Sequence, residues 1–455
     1  SLFYDNEIRS EGGIYDINNH VRPGEEASNV RYKQIYPLLY EGPDQDPSEY
    51  TVYLPVSTND YDWIVRPWTI RNEEVKAANW DSNIPVKRRS MYQFQLNYAR
   101  RFDAHNVSAM AIMKREEYAY GNMFKNYRED WVGSITYDYD SRYLLELNGA
   151  YNGSEKFGPG YRFDFFPSFA VGWYVTNEKF WKIKWIDRLK LRYSKGWVGD
   201  DNGGGRWMYT SQMSYGTSAR LNNASNGSSP YTMYQETSVG NPDVHWEKAV
   251  KDNYGFEIGF FKSQLGLSVD YFTEKRTDIL INGSSRSVPV FFGTTPPSAN
   301  LGRVNSKGVE VELSFNKQIN KDWDIWSKLA IAHNQNEVIF RDDPPLQFDH
   351  LKSAGFRIGQ ARSLISTGFY NNWDDVYASV PTETNDLSKL PGYYNLLDYT
   401  ADGIIKSSED NVPIGYSEVP LNTATLTLGI NYKGFSIMCQ FYGVNNATRV
   451  ISFNN

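Results

Sequence analysis

Residues 398–409 read DYTADGIIKSSE, an order of oxygen-bearing side chains that suits a hard divalent cation. Set against the 12-residue calcium loop, Asp398 takes the first position, Thr400 the third and Asp402 the fifth. Gly403 stands at the sharp turn, the Ile404 carbonyl at the next ligand position and Glu409 at the last. Calcium needs several oxygens converging on one point, and this spacing offers them. Thr in place of Asp or Asn at the third position lowers the ligand charge, and no flanking helices are evident. The same residues also read as an acidic surface turn built on Asp-Gly chemistry.

A second constellation lies in residues 201–248, where Trp207, Tyr209, Tyr215, Tyr231 and Tyr234 stand among Asn, Ser and Gly. Aromatic rings stack on the apolar faces of sugars or peptides while amides bond their polar groups. Trp207, Tyr209, Tyr231 and Tyr234 are therefore the candidate ligand contacts. The competing reading is a loop whose rings bury against each other. Gly203–Gly205 is no phosphate cradle, because no Lys-Ser/Thr follows and no strand-to-helix context surrounds it.

Other chemistry is sparse. The five histidines, His20, His105, His245, His333 and His350, are far apart, and no paired-His spacing or Cys cluster occurs. No catalytic set of Ser, His and Asp is grouped, so no enzyme activity is expected. Cys439 is the single cysteine, which excludes an intrachain disulfide. The formal net charge of -7 and the lack of Lys/Arg runs argue against a nucleic-acid partner.

The elements that must position these residues are strands. Segments such as YQFQLNY (92–98), YLLELNGAY (143–151), LKLRY (189–193), YGFEIGF (254–260), LGLSVDY (265–271), VEVELSF (309–315) and LTLGINY (426–432) alternate apolar and polar residues. Period two is the mark of a strand with two different faces. The polar face carries Lys190, Arg192, Glu257, Asp270, Glu310 and Glu312; Cys439 falls on the apolar face of 435–441. These charges would line a lumen or meet a plug, or simply solvate a wet interior.

Strands are expected at 90–102, 107–119, 130–138, 142–152, 163–176, 187–199, 249–261, 264–275, 303–316, 323–337, 421–432 and 434–443. Tyr50–Val56 and Trp63–Ile70 are further strand pieces. Tight links at 103–106, 138–142, 262–264 and 433–434 alternate with long ones at 152–162, 201–248, 276–305 and 338–420. Short turns at one end and long loops at the other are what a bacterial membrane barrel shows. Composition agrees: mean hydropathy is -0.59, yet 16% of residues are aromatic. Only alternate residues of a barrel face lipid, and rings collect at both interfaces. No stretch approaches the length of a transmembrane helix, which does not argue against a barrel.

Five blocks resemble the SusC/RagA-type family of TonB-linked outer-membrane transporters, and they occur in the family's order over 90–445. They are GSEKFGPGYRFDFFPSFAVGWYV (153–175), DRLKLRYSKGWVGDDN (187–202), NPDVHWEKAVKDNYGFEIGFF (241–261), GRVNSKGVEVEL (302–313) and the acidic Gly loop with its hairpin (398–437). The resemblance implies an all-β, antiparallel transmembrane β-barrel in the bacterial outer membrane, embedded in the lipid bilayer. It also implies an internal plug, energy from TonB, and a SusD-like surface lipoprotein as partner. The substrate would be an oligosaccharide or peptide.

No cofactor is implied beyond the Ca2+ that 398–409 would hold. Neither the plug nor a TonB-contacting segment is recognised here, and the family's closing strands do not follow Asn455. The expectation is therefore an incomplete portion of a larger barrel: early strands and loops over 1–89, central to late strands with long extracellular loops over 90–455. The rivals are a soluble or surface-anchored β-rich glycan-binding protein and a passive porin. The soluble rival would have to cover its apolar strand faces with a second sheet or helices.

Overall fold

The computed structural model describes residues 2–10, 49–57, 63–71, 86–120, 124–218 and 232–451. It divides into two compact units, residues 1–95 with 113–129, and residues 96–112 with 130–455. In the first unit, β1 (Leu2–Ser10) pairs antiparallel with the start of β4 (Val86–Phe102). The two strand pieces expected at 50–56 and 63–70 are β2 (Glu49–Ser57) and β3 (Trp63–Arg71), and they form an antiparallel pair.

The second unit is built on one long sheet. Its strands are the remainder of β4, then β5 (His105–Tyr120) up to residue 112, β6 (Asn126–Tyr139) from residue 130, β7 (Tyr143–Ser154), β8 (Phe163–Tyr174) and β9 (Ile186–Asp200). A side hairpin of β10 (Gln212–Ser218) and β11 (Thr232–Ser238) follows. The sheet resumes with β12 (Glu247–Phe260), β13 (Leu265–Ile281), β14 (Ala299–Gln318) and β15 (Trp323–Phe340). The next connection carries β16 (Gln360–Ser363), β17 (Ser366–Phe369), helix α1 (Trp373–Ala378), β18 (Tyr394–Leu396) and β19 (Val412–Ser417). β20 (Asn422–Tyr432) and β21 (Phe435–Asn445) complete it. The order is β4-β5-β6-β7-β8-β9-β12-β13-β14-β15-β20-β21, so strands adjacent in the sheet are successive in the chain apart from the loop hairpins.

All twelve expected strands of this sheet are present. The largest difference is at β13 and β14, which reach Ile281 and start at Ala299, inside the stretch read as a loop. The register shifts between Arg276 and Ile279, and Asp278 has φ 59°. A bulge leaves a residue unpaired and breaks the period-two pattern, so alternation ceases to report the strand there. The tight turns are as expected. In the two-residue link between β20 and β21, Lys433 (φ 43°) and Gly434 (φ 92°) are both left-handed, the geometry that matches the twist of a hairpin.

Register carries the alternation from strand to strand. One row of side chains runs Leu189, Ile258, Leu267, Leu313, Leu329 and Leu426 across β9, β12, β13, β14, β15 and β20. The next runs Leu191, Phe256, Val269, Val311, Ile331 and Ala424, followed by Tyr193, Tyr254, Tyr271, Val309, His333 and Asn422. A slip of one residue anywhere would put charges into these rows, which is why the pairing is unambiguous.

The rows remain exposed: Leu191 is 42% accessible and Tyr254 52%. Rings bound the band at both ends. Trp323 and Tyr432 lie 4.3 Å apart, and Trp185 stacks on Phe260 at 5.7 Å, near the short turns. Tyr193 and Tyr254 lie 4.8 Å apart on the side of the long loops. Along β15 the band runs from Trp323 to Ile331, close to the 9–11 residues a tilted strand needs to cross a bilayer. No helix among the described residues is long and apolar enough to cross a membrane.

Candidate functional site: inner wall and long loops

The face opposite the apolar rows is polar and ion-paired. Arg192 on β9 bonds Asp270 on β13, passing over Gly255 of the intervening β12. A Cβ at position 255 would sit 2.6 Å from Asp270 Oδ1 and closer still to Arg192 Nε, so any larger residue must push this ion pair aside. Glu257 lies 3.9 Å from Arg192 Nε and 4.0 Å from Lys190 Nζ. Asn253 Nδ2 donates to Asp270 Oδ1 at 2.9 Å, and Lys328 pairs with Glu312 at 2.9 Å. Glu310 stands opposite Asp270 in register. Arg101, Asn106, Asp138, Glu146, Lys190 and Arg192 line a concavity of about 670 Å³ on this wall. The charged face is thus a wet wall with mixed sign, suited to water and polar solute rather than to lipid.

At the other end of the strands the long loops are tied down by the segment NPDVHWE. Trp246 is 1% exposed and Val244 0%. Trp246 packs against Phe157 (5.2 Å) and Phe166 (5.5 Å) and donates its indole N–H to the Arg162 carbonyl at 3.2 Å. Asn241 Nδ2 donates to the Ser298 carbonyl, while Asn300 accepts from His245 N and donates to the carbonyls of His245 and Asp278. The buried Glu247 carboxylate accepts from Leu280 N at 3.0 Å. Sequence reasoning did not single out Asn241, Trp246 or Asn300. Their only signal was that they share one family-like block or follow it at long range.

The aromatic candidates divide. Trp207 (φ 60°) and Tyr209 are half-buried at the loop base, with the Arg206 guanidinium 4.6 Å from the Trp207 ring centre. Tyr234 is 72% exposed on β11, its ring 4.8 Å from that of Tyr215 on β10. Tyr231 lies outside the described residues. Gly203 and Gly204 pack against Leu280: a Cβ on Gly203 would lie 3.2 Å from Leu280 Cβ, and one on Gly204 2.7 Å from Leu280 Cδ2. Close packing, not phosphate binding, explains the glycines. The last loop adds exposed rings that sequence reasoning passed over, Phe369 with Tyr394 (4.9 Å) and Trp373 with Tyr377 (6.1 Å). The density of aromatics over 369–394 was the available signal.

In the 398–409 loop two of the three carboxylates, Asp402 and Glu409, meet a lysine. Lys406 Nζ lies 2.8 Å from Asp402 Oδ2 and 3.0 Å from Glu409 Oε2, and both carboxylates hold its ammonium pKa above the ordinary value. Asp398 Oδ2 accepts from Gly403 N at 2.8 Å, and Asp402 Oδ1 from Ile404 N at 2.9 Å. Thr400 donates its hydroxyl to Asp410 at 3.0 Å. Asp410, the residue after the expected ligand set, is the organising group. It is 1% exposed and also accepts from the backbone N–H groups of Tyr399, Thr400 and Lys406. Burial alone would raise its carboxyl pKa, but these bonds outweigh burial and hold it below the ordinary value. Among the described residues no group of three or more His, Cys, Asp or Glu side chains is placed to hold a metal ion.

Comparison with known proteins agrees with this architecture. The chain is 27% identical over 372 residues to TonB-dependent receptor P39 of Formosa agariphila, covering 73% of this chain and 34% of that protein. It is 26% identical over 266 residues to TonB-dependent receptor SusC of Bacteroides thetaiotaomicron, covering 58% of this chain and 25% of that one. The RagAB peptide importer in its 'open-open' state matches in fold with a TM-score of 0.62 at 17% identity, over 88% of this chain and 43% of that chain. The chain thus spans from a quarter to under half of the relatives it matches. The family model for the TonB dependent receptor-like β-barrel matches residues 29–436. The two-faced antiparallel wall, the alternation of short turns and long loops, and that match establish that this chain belongs to the TonB-dependent receptor β-barrel family of the outer membrane.

Proposed function

We propose that this chain supplies wall and extracellular loops to an active importer of oligosaccharides or peptides, driven by TonB and closed on the outside by a SusD-like lipoprotein. The observation that carries the proposal is the two-faced wall: lipid-type rows on one side and an ion-paired lumen face on the other, held in register from β9 to β20. Family membership supports the link to TonB. The partner and the substrate class rest on similarity to SusC and to a peptide importer. Tyr215 and Tyr234 are the first contacts for the incoming solute, with the half-buried Trp207 and Tyr209 as further candidates. Exposed rings stack on apolar solute faces, while the polar wall solvates the remainder of the solute during passage.

The test is purification of the native complex from outer membranes in detergent, with mass spectrometry of the proteins and small molecules that accompany it. Recovery with a surface lipoprotein and a bound glycan or peptide is the expected result. Recovery from the soluble fraction, or a chain that never accompanies a lipoprotein and retains no ligand, would overturn the proposal.

A further inference from the structure

The outward rows change chemistry along one line. Beyond the Tyr193, Tyr254 and Tyr271 row the next residues in register are Lys195, Asp252, Thr273, Lys307 and Gln335. The row after that is Trp197, Val250, Lys275, Asn305 and Glu337. Over β13 to β15 the apolar band therefore ends on the long-loop side, where headgroups of the outer leaflet begin. Lys195 is already neutralised: its Nζ lies 3.3 Å from Asp252 Oδ1, which also accepts the Tyr193 hydroxyl at 2.8 Å.

Lys275 and Lys307 differ. Both are exposed, and neither makes an ion-pair contact among the described residues, Asp252 acting on Lys275 only through space. Thr273 faces Lys307 and Lys275 faces Asn305, so the lysines are diagonal neighbours on adjacent strands. Such neighbours stand about 7–8 Å apart at the backbone, near enough for two ammonium groups to close on one phosphate. A concavity of about 230 Å³ lies between them, lined also by polar residues of all three strands and by two carboxylates, Glu337 and Glu274, of which Glu274 is paired with Lys251 and Arg276.

We propose that Lys275 and Lys307 hold the phosphate of an outer-leaflet lipid headgroup, with Thr273 and Asn305 donating hydrogen bonds to it. A lipid is the occupant because the pair is continuous with the apolar rows. Acyl chains lying on Tyr271 and Val309 bring a phosphate to the level of the lysines, whose stems extend along apolar surface while their charges reach the headgroup. Glu337 at the rim repels the anion and confines it to the β13–β14 side.

The test uses the full-length transporter extracted in mild detergent, with native mass spectrometry of added lipid A in phosphorylated and dephosphorylated forms. Phosphorylated lipid A is expected to bind more tightly. Loss of one lysine charge should weaken it about five-fold, and Lys275→Gln with Lys307→Gln about 25-fold. The Lys275→Arg, Lys307→Arg pair should retain binding, and Lys328→Gln on the opposite face should not change it. Heat-modifiable migration on gels checks that each variant is folded. Equal binding by the native and double-Gln proteins would overturn the proposal. So would displacement of the lipid by inorganic phosphate at comparable concentration, which would mark a general anion site.

Discussion

Arg192 reaches Asp270 across a strand that belongs to neither, and the crossing is possible because Gly255 has no side chain. The relation joins β9, β12 and β13 on the lumen face with a single charge-assisted bond. A side chain at 255 must push the guanidinium away and leave a carboxylate facing Glu310 across the register. Gly255→Val should therefore lower stability by up to about 1 kcal/mol, the scale of a part-exposed ion pair on a wet face. The check is the temperature at which the folded band is lost on gels of unboiled protein. Wild-type heat resistance in the variant would show that the ion pair has no structural weight.

Trp246 should be the most sensitive position of the long loops. Its indole fills a small core with Phe157, Phe166 and Val244 and satisfies the Arg162 carbonyl. Trp246→Ala is expected to cost about 3–5 kcal/mol locally. Limited proteolysis of intact cells should then cut the 201–246 loop much faster, while the heat resistance of the strands changes little.

Asp410 predicts a pH response in the last loop. Its carboxyl pKa is lower folded than unfolded, so the stabilisation is fully present above the unfolded value of about 3.9 and fades as pH falls through the lower folded one. Hydrogen exchange at the Tyr399, Thr400 and Lys406 amides, corrected for intrinsic rates, should stay slow at neutral pH and lose protection in strong acid. Asp410→Ala should remove that protection at every pH, because several buried donors lose their acceptor.

Lys406 decides the response of the same loop to calcium. A cation at Asp402 and Glu409 has to displace an ammonium already bonded to both. Lys406→Asn should raise calcium affinity relative to the native chain, measured by calorimetry on the full-length transporter. An unchanged or weaker affinity would mean that the two carboxylates do not form part of a calcium site.

The Tyr215–Tyr234 pair tests solute capture. If these rings stack on the ligand, the double Ala variant should weaken binding by about 0.5–1.5 kcal/mol per ring, with no change in heat resistance. Binding of the co-purified glycan or peptide to the detergent-extracted complex provides the measurement.

The sequence by itself determined the strands, the two faces and the distinction between short turns and long loops. Period two is local: YGFEIGF and VEVELSF each state which residues turn to lipid, and Lys433-Gly434 states how its hairpin closes. What only the tertiary structure decided depends on residues far apart in the chain. Gly255 matters because register sets it between Arg192 and Asp270, and the bulge at Arg276–Ile279 hides the end of β13 from any alternation test. In the 398–409 loop the spacing of oxygens could be read, but not that Lys406 would turn inward between Asp402 and Glu409, or that Asp410 would collect the backbone N–H groups. Spacing reports which groups are available. The charge that settles among them is decided by where the folded backbone points each side chain.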